Sequence, residues 1–295
     1  MMDNTTVEAK TYTLQSEIYR EMNADEEHSV DADDDTFVIK NVRSVFRFKC
    51  QSMQPPNSDH FSVDEDGDLI VLRSPFSKAI VIEHINRTSL NMVGMQVWRS
   101  ALLMGDFIMG NKNIFSGDQV ILELGSGVGL TGIVAAMYCK EVVFTDIDNT
   151  NILSMIEKNI RLNRDLIVSR TTVMPLDFGE PELSDVLWTK LRDVNIIIAA
   201  DVIYDNEITK QLVNTLKKIM AVSPMKTAYI GMEKRYVFSS VDLDVCAPSY
   251  EYFCDLLKQN NWFQVEILDC NFSQYFQYNK VKELVILKLT TNHSM

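Results

Sequence analysis

The 295-residue chain lacks the patterns that mark several common chemistries. Its five cysteines (Cys50, Cys139, Cys246, Cys254, Cys270) are odd in number and include no Cys-x-x-Cys pair. Its four histidines form no His-x-x-x-His pair. Neither a disulfide framework nor a metal site is therefore expected. No run approaches the roughly 20 apolar residues that a membrane span needs. The opening MMDNTTVEAK has no apolar stretch of the signal-peptide kind. The expectation is a soluble protein of the nucleus or cytoplasm, without a membrane partner and monomeric. Cations are scarce too, with 28 Lys and Arg against 41 Asp and Glu. Phosphate backbones need grouped cations, so direct nucleic-acid binding is not expected.

The acidic excess is concentrated. Residues 1–36 hold eleven acids and two bases, a net of −9 out of −13. So polar a segment buries too little apolar surface to offset its ordering entropy, and it reads as a disordered acidic tail. Within it a short helix around Ser16–Met22 stays open. Such a tail suits a basic protein partner, and solubility alone explains it equally well. From Phe37 the character changes. Phe37–Ile39, Val45–Phe48, Leu69–Leu72 and Ala79–Ile85 read as strands, with turn signals at Pro55-Pro56-Asn57 and Asp66-Gly67. Residues 37–92 form a small β-rich extension on this reading, and 93–295 form the main domain.

In the main domain helical stripes alternate with short apolar strands. Trp98, Ala101, Leu102, Gly105, Ile108 and Met109 share a helical stripe before the strand Val120–Leu124. Helices follow over Leu130–Tyr138, Ile152–Ile160, Ile208–Ile219 and Tyr252–Lys258, with Asp148 or Asn149 capping the second. Between them lie strands at Val142–Thr145, Thr172–Leu176, Val194–Ala200 and Thr227–Ile230. Continuous apolar strands are those of a parallel sheet covered on both faces. The pattern specifies an α/β, doubly wound, Rossmann-like sheet. Phe263–Leu268 and Leu284–Leu289 have no helix between them and read as an antiparallel hairpin at its edge.

The first strand of this run ends in Glu123-Leu124-Gly125-Ser126-Gly127-Val128-Gly129-Leu130. Glycine at 125 and 127 permits a tight turn and lets a ligand approach bare backbone. A dinucleotide fingerprint requires glycine where Leu130 stands, and no Gly-Lys-Ser/Thr follows, so neither that fold's cofactors nor a P-loop nucleotide fits. The Glu-x-Gly-x-Gly-x-Gly spacing resembles the loop of methyltransferases that use S-adenosyl-L-methionine. Asp146 ends the second strand, 21 residues after Gly125, where a carboxylate can accept from a ribose diol. The alternative is that it only caps the next helix. After the third strand, Asp177 can accept from an adenine amino group and Phe178 can lie on the adenine face; for Phe178, ordinary core packing is the alternative.

Together these residues resemble the seven-strand protein methyltransferases of family 16. That family's marks are a tryptophan before the first strand, the glycine loop, an acid after the second strand, a Leu-Asp-Trp-Gly-like turn and Asp/Glu-x-x-Tyr/Phe after the fourth. Here they read Val97-Trp98-Arg99, Glu123–Gly129, Asp146, Leu176-Asp177-Phe178-Gly179 and Asp201-Val202-Ile203-Tyr204, in order. Phe178 stands where the family usually has Trp. The resemblance implies cofactor contacts from Trp98, Glu123, Gly125, Ser126, Gly127, Asp146, Asp177, Phe178 and Ala200, although Trp98 on its stripe is also a core candidate. It implies a basic protein acceptor, a nucleic-acid-binding protein or chaperone.

The catalytic candidates are Asp201 and Tyr204, carried to the carboxyl rim of the sheet by the fourth strand. A lysine with a pKa of about 10.4 is mostly protonated at neutral pH, so a site must orient the amine and favour loss of a proton. Asp201 can draw in the cation, and Tyr204 can shape its channel. Enzymes acting on planar amides or exocyclic amines typically carry Pro-Pro where Val202-Ile203 stand, so a basic amine is the better acceptor. The alternative for Asp201 is to complement a helix dipole, but Asp205 and Asn206 are better placed for that. Glu233 either lines the acceptor channel or forms a solvated pair with Lys234. The expected function is protein-lysine N-methylation. The alternatives are methylation of a small amine or another protein side chain, and a fold that only binds protein.

Overall fold

The computed structural model describes residues 13–23, 39–49, 77–149, 151–239, 244–259 and 261–292. Strand β1 (Thr13–Gln15) and helix α1 (Glu17–Met22) come first, then β2 (Asn41–Lys49), β3 (Ser77–Ile85), β4 (Arg87–Ser89) and a 3₁₀ turn over Leu90–Met95. Next are α2 (Arg99–Gly110), α3 (Lys112–Phe115), β5 (Val120–Leu124), α4 (Leu130–Ala135), β6 (Glu141–Asp146) and α5 (Ile152–Leu162). The chain continues with β7 (Arg170–Pro175), α6 (Asp185–Lys190), β8 (Ile196–Ala200), α7 (Asn206–Met220) and β9 (Thr227–Glu233). A short ribbon, β10 (Val237–Ser239) and β11 (Asp244–Cys246), precedes α8 (Pro248–Gln259), β12 (Phe263–Leu268) and β13 (Leu284–Thr291).

Seven strands form the central sheet in the order β12-β13-β9-β8-β5-β6-β7. β9, β8, β5, β6 and β7 run parallel, and β13 is antiparallel to both its neighbours. This is the expected doubly wound sheet with its edge hairpin. Strand alternation sends each strand's side chains to two cores. Ile121, Ile196 and Ile198 face the core that holds α2, α4 and α5, whereas Leu122, Ile197 and Ala199 face the core of α6, α7 and α8. The order reverses between β5 and β8, and beyond the carboxyl ends of strands at such a switch point a cleft forms. Among the described residues no helix is long and apolar enough to cross a membrane.

The N-terminal elements are part of this body. Phe46 and Phe48 of β2 and Ile80 and Ile82 of β3 share the α2–α4–α5 core. Two asparagines four residues apart, Asn159 on α5 and Asn163 at its C-terminal cap, clamp β3 as a neighbouring strand would. Asn159 accepts from Glu83 N (2.8 Å) and donates to Glu83 O (2.9 Å), while Asn163 accepts from Val81 N (2.8 Å) and donates to Val81 O (2.7 Å). The core therefore runs across the boundary expected at 92/93. The expectation of disorder over 1–36 fails at residues 13–23. There β1 pairs with β4, Ile18 is 1% exposed, and Glu17 and Glu21 of α1 both bind Arg99. A cation distant in sequence neutralises acids that read locally as solvated. The strands expected at Phe37–Ile39 and Leu69–Leu72 and the turns at 55–57 and 66–67 lie at or beyond the edge of the described residues, and Ile39 itself is not in a strand. The cap of α5 is Asn151, not Asp148 or Asn149.

Candidate active site

The loop after β5 turns on three left-handed glycines, Gly125 (φ 61°), Gly127 (φ 55°) and Gly129 (φ 85°). L-residues with side chains pay for such φ values, so glycine is required by conformation. It is required by space as well, because a Cβ on Gly127 would lie 2.9 Å from Gly94 O in the 3₁₀ turn. The loop is tied to β6: Ser126 N donates to Thr145 O (2.9 Å), and Thr145 N donates to Ser126 Oγ (3.1 Å). Asp146 fixes it further. Its Oδ2 accepts from Gly127 N (2.7 Å) and its Oδ1 from Ile147 N (2.8 Å). Asp146 is thus not the cap of α5; it holds the glycine loop. Burial pushes its carboxyl up to about 6, against the pull of these two N–H groups.

Beneath the loop, Glu123 Oε1 accepts from Gly132 N (3.0 Å), while Oε2 is buried without a hydrogen-bond partner. Burial pushes this carboxyl up to about 8, so it is mostly protonated at neutral pH. After β7, Asp177 Oδ1 accepts from Gly179 N (2.8 Å) at the surface, and Phe178 lies half-buried beside Gly125. Trp98 stands one residue before α2 in extended backbone, not inside the helix, and its indole N–H donates to Val93 O (2.9 Å).

At the end of β8, Ala200 reaches the rim and Asp201 follows in left-handed backbone, with φ 58°. Its N–H donates to Gly231 O (2.9 Å), and its side chain is 4% exposed. Burial raises its pKa, opposed by the guanidinium of Arg235, which donates to Oδ2 at 3.1 Å. Asp205 caps α7 by accepting from Glu207 N and Ile208 N (2.9 and 3.0 Å), which leaves Asp201 outside the capping role. Tyr204 is 45% exposed, and burial of its hydroxyl end, with Asp146 and Asp205 nearby, raises its pKa.

All eleven candidate residues, Trp98, Glu123, Gly125, Ser126, Gly127, Asp146, Asp177, Phe178, Ala200, Asp201 and Tyr204, line one cavity of about 710 Å³ at the switch point. That size lies in the ordinary range for small-molecule sites. Among the described residues no group of acids, cysteines or histidines could hold a metal ion. Sequence reasoning did not place Leu14, Gln96 or Arg235 on this cavity. Leu14 arrives through β1, with its carbonyl accepting from Gln96 Nε2 (2.8 Å). Arg235 belongs to Glu233-Lys234-Arg235, whose charges alone say nothing of which acid each base meets. Glu233 in fact pairs with Arg99 (3.3 Å), while Lys234 sits over the Tyr250 ring.

Known proteins are similar to this chain in sequence. The chain is 33% identical over 236 residues to methyltransferase-like protein 22 of Mus musculus, covering 71% of this chain and 58% of that protein. It is 31% identical over 236 residues to the Homo sapiens protein of the same name, covering 71% and 57%. It is also 33% identical over 137 residues to protein-lysine N-methyltransferase EEF2KMT of Mus musculus, covering 43% and 39%. The chain thus spans less than three-fifths of the length of these curated relatives. A family model described as lysine methyltransferase matches residues 79–245. That stretch is more than half of the chain and contains the glycine loop, Asp201 and Arg235, and the chain belongs to the lysine methyltransferase family.

Proposed function

We propose that this protein transfers a methyl group from S-adenosyl-L-methionine to the side-chain amine of a lysine in a protein substrate. The observation that carries the reading is the charge of the cavity. Four carboxylates line it (Asp146, Asp177, Asp201, Asp205) beside the mostly protonated Glu123, and Arg235 is its one lining cation among the described residues. Such walls suit cationic ligands and oppose a pyrophosphate.

The residues fit the cofactor. Bare backbone at Gly125–Gly127 is open to an amino-acid moiety. Each Asp146 oxygen accepts one backbone N–H and retains capacity for a ribose hydroxyl. Asp177 and Phe178 suit the amino group and the face of adenine. When bound, S-adenosyl-L-methionine supplies a methyl group on a positively charged sulfur.

The chain's own task is to present a neutral amine. Asp201, held rigidly in left-handed backbone, accepts hydrogen bonds from the incoming ammonium and sets its direction. Tyr204 and Trp98 give the entrance aromatic faces, which favour cations, including methylated ones. A second positive charge in the cavity would lower the lysine pKa while the acids of the rim favour the ammonium, so the amine would lose its proton to water at the entrance before transfer. Much of the acceleration then comes from alignment, for which oriented reactions gain up to about 7–11 kcal/mol. The family resemblance extends the proposal to a basic acceptor, a nucleic-acid-binding protein or chaperone, in the nucleus or cytoplasm; the proposal also takes the enzyme to act as a monomer.

The test is to incubate the chain with methyl-labelled S-adenosyl-L-methionine and a cell extract, and to locate the label by mass spectrometry. Label on a lysine amine of a protein is expected. Label confined to small molecules, or cofactor binding with no transfer, overturns the proposal.

A further inference from the structure

The strongest candidate acceptor carboxylate already holds a cation. Arg235 donates to Asp201 Oδ2 at 3.1 Å, and its guanidinium carbon lies 4.7 Å from the centroid of the Trp98 ring. All three side chains line the cavity. An arginine thus makes the two contacts, carboxylate below and aromatic face beside, that a substrate ammonium would use there. We propose that Arg235 is a specificity-determining residue: its guanidinium keeps the acceptor's place between Asp201 and Trp98, and a cationic side chain enters by exchanging with it. This inference rests on Asp201 being the acceptor carboxylate.

The two partners differ in their freedom to separate. Arg235 is 43% exposed and lies in the irregular stretch between β9 and β10, so its charge can swing into water. Asp201 is 4% exposed and fixed by φ 58° and by its bond to Gly231 O. Withdrawing Arg235 leaves a buried carboxylate without its ion pair, which is costly unless another cation replaces it. A lysine ammonium supplies that replacement. A glutamine or methionine side chain does not, so the exchange rejects neutral acceptors without any steric filter. Arginine and lysine are unequal here as well: the planar guanidinium stacks on Trp98 while pairing with Asp201, whereas an ammonium is a compact point charge that can reach deeper.

The apparent affinity for an acceptor falls by the fraction of molecules whose site is open. With Arg235 seated at least about four-fifths of the time, its removal should tighten binding of a small lysine analogue about fivefold or more. The probe is N-acetyl-L-lysine methylamide, with N-acetyl-L-norleucine methylamide as the uncharged control. The readout is the indole N–H resonance of Trp98, one of three tryptophans, identified with Trp98→Phe. Arg235→Gln should shift that resonance before any probe is added, and should then bind the lysine probe about fivefold more tightly or better. Arg235→Lys, which keeps the charge, should stay within about twofold of wild type. The norleucine control should not gain in any of them. In an Asp201→Asn background, Arg235→Gln should bring no further gain, because Arg235 acts through that carboxylate. If Arg235→Gln loses the wild-type melting transition, Arg235→Met carries the same test, since its chain still covers the indole.

Unchanged or weaker lysine-probe binding in folded Arg235→Gln overturns the inference, as does an equal gain for the norleucine control. If Asp201→Asn weakens the probe but Arg235→Gln does not strengthen it, only the exchange fails. If Asp201→Asn leaves lysine-probe binding untouched, the assignment of the acceptor site fails beneath it.

Discussion

Replacing Asp146 by asparagine separates what this residue does for the ligand from what it does for the fold. Both carboxylate oxygens accept backbone N–H groups, from Gly127 at 2.7 Å and Ile147 at 2.8 Å. An amide offers one acceptor, so one of these donors would face an NH₂ group. The lost charge-assisted bond is worth about 1.5–3 kcal/mol. Against this stands the cost of keeping a buried carboxylate ionised. Burial lifts the Asp146 pKa from 3.8 to about 6, which at neutral pH costs on the order of 3 kcal/mol. That shift is already net of the two N–H bonds, so Asp146→Asn, which resembles the protonated side chain, should melt no lower than wild type at pH 7. Cofactor affinity should fall roughly 10- to 150-fold, the equivalent of one such bond. The sign of the pH dependence follows. Between pH 3.8 and about 6 the folded wild type binds more protons than the unfolded chain, so its stability falls as pH rises through that window and is level above it. The variant lacks this slope. Denaturant titrations at pH 4.5 and 7 should therefore show it gaining on wild type at the higher pH. Calorimetric titration with S-adenosyl-L-methionine completes the assay. Unchanged affinity in a folded variant refutes the role at the cofactor, and an equal stability difference at both pH values refutes the burial argument.

Glu123→Gln mimics the protonated side chain: with a folded pKa of about 8 against 4.5, wild-type stability falls from pH 4.5 to 8, so the variant should match it near pH 5 and exceed it at pH 9, read as melting temperature. Ile18→Ala, at a site 1% exposed, should cost about 2–5 kcal/mol in the packing of α1 and speed amide exchange at Ser16, whose N–H donates to Asn86 O; unchanged exchange would mean that residues 13–23 do not depend on this contact.

The sheet was legible because its strands are short, apolar and bounded by glycine or acids. Val120–Leu124 and Ile196–Ala200 carry their side chains into two cores, and nothing in their neighbourhoods competes with strand. The rim was legible for a related reason. Gly125, Asp146, Asp177 and Asp201 each stand at or just past a strand's carboxyl end, so strand ends alone bring them together. What escaped depends on pairing over long separations. Glu17 and Glu21 looked solvated because Arg99 is about eighty residues away. Asn159 read as part of an amphipathic helix and Asn163 carried no signal, because the partners of both are backbone atoms of β3. Short α6 and the β10–β11 ribbon have too few residues for a period to show. Arg235 was visible as a charge, but no local rule names the acid it meets.

The central claim is that Asp201 orients the acceptor amine at the rim of the same cavity that takes the cofactor. Asp201→Asn tests it most directly, since asparagine tolerates the left-handed φ of 58° and keeps the side chain's size. Cofactor affinity and methyl-transfer rate are measured on the same preparation, with the acceptor protein identified by labelling. The account predicts cofactor affinity within about twofold of wild type and a turnover lower by about 10²-fold or more, as when a preorganised electrostatic contact is removed. Full turnover in the folded variant, with the cofactor bound as before, would contradict it.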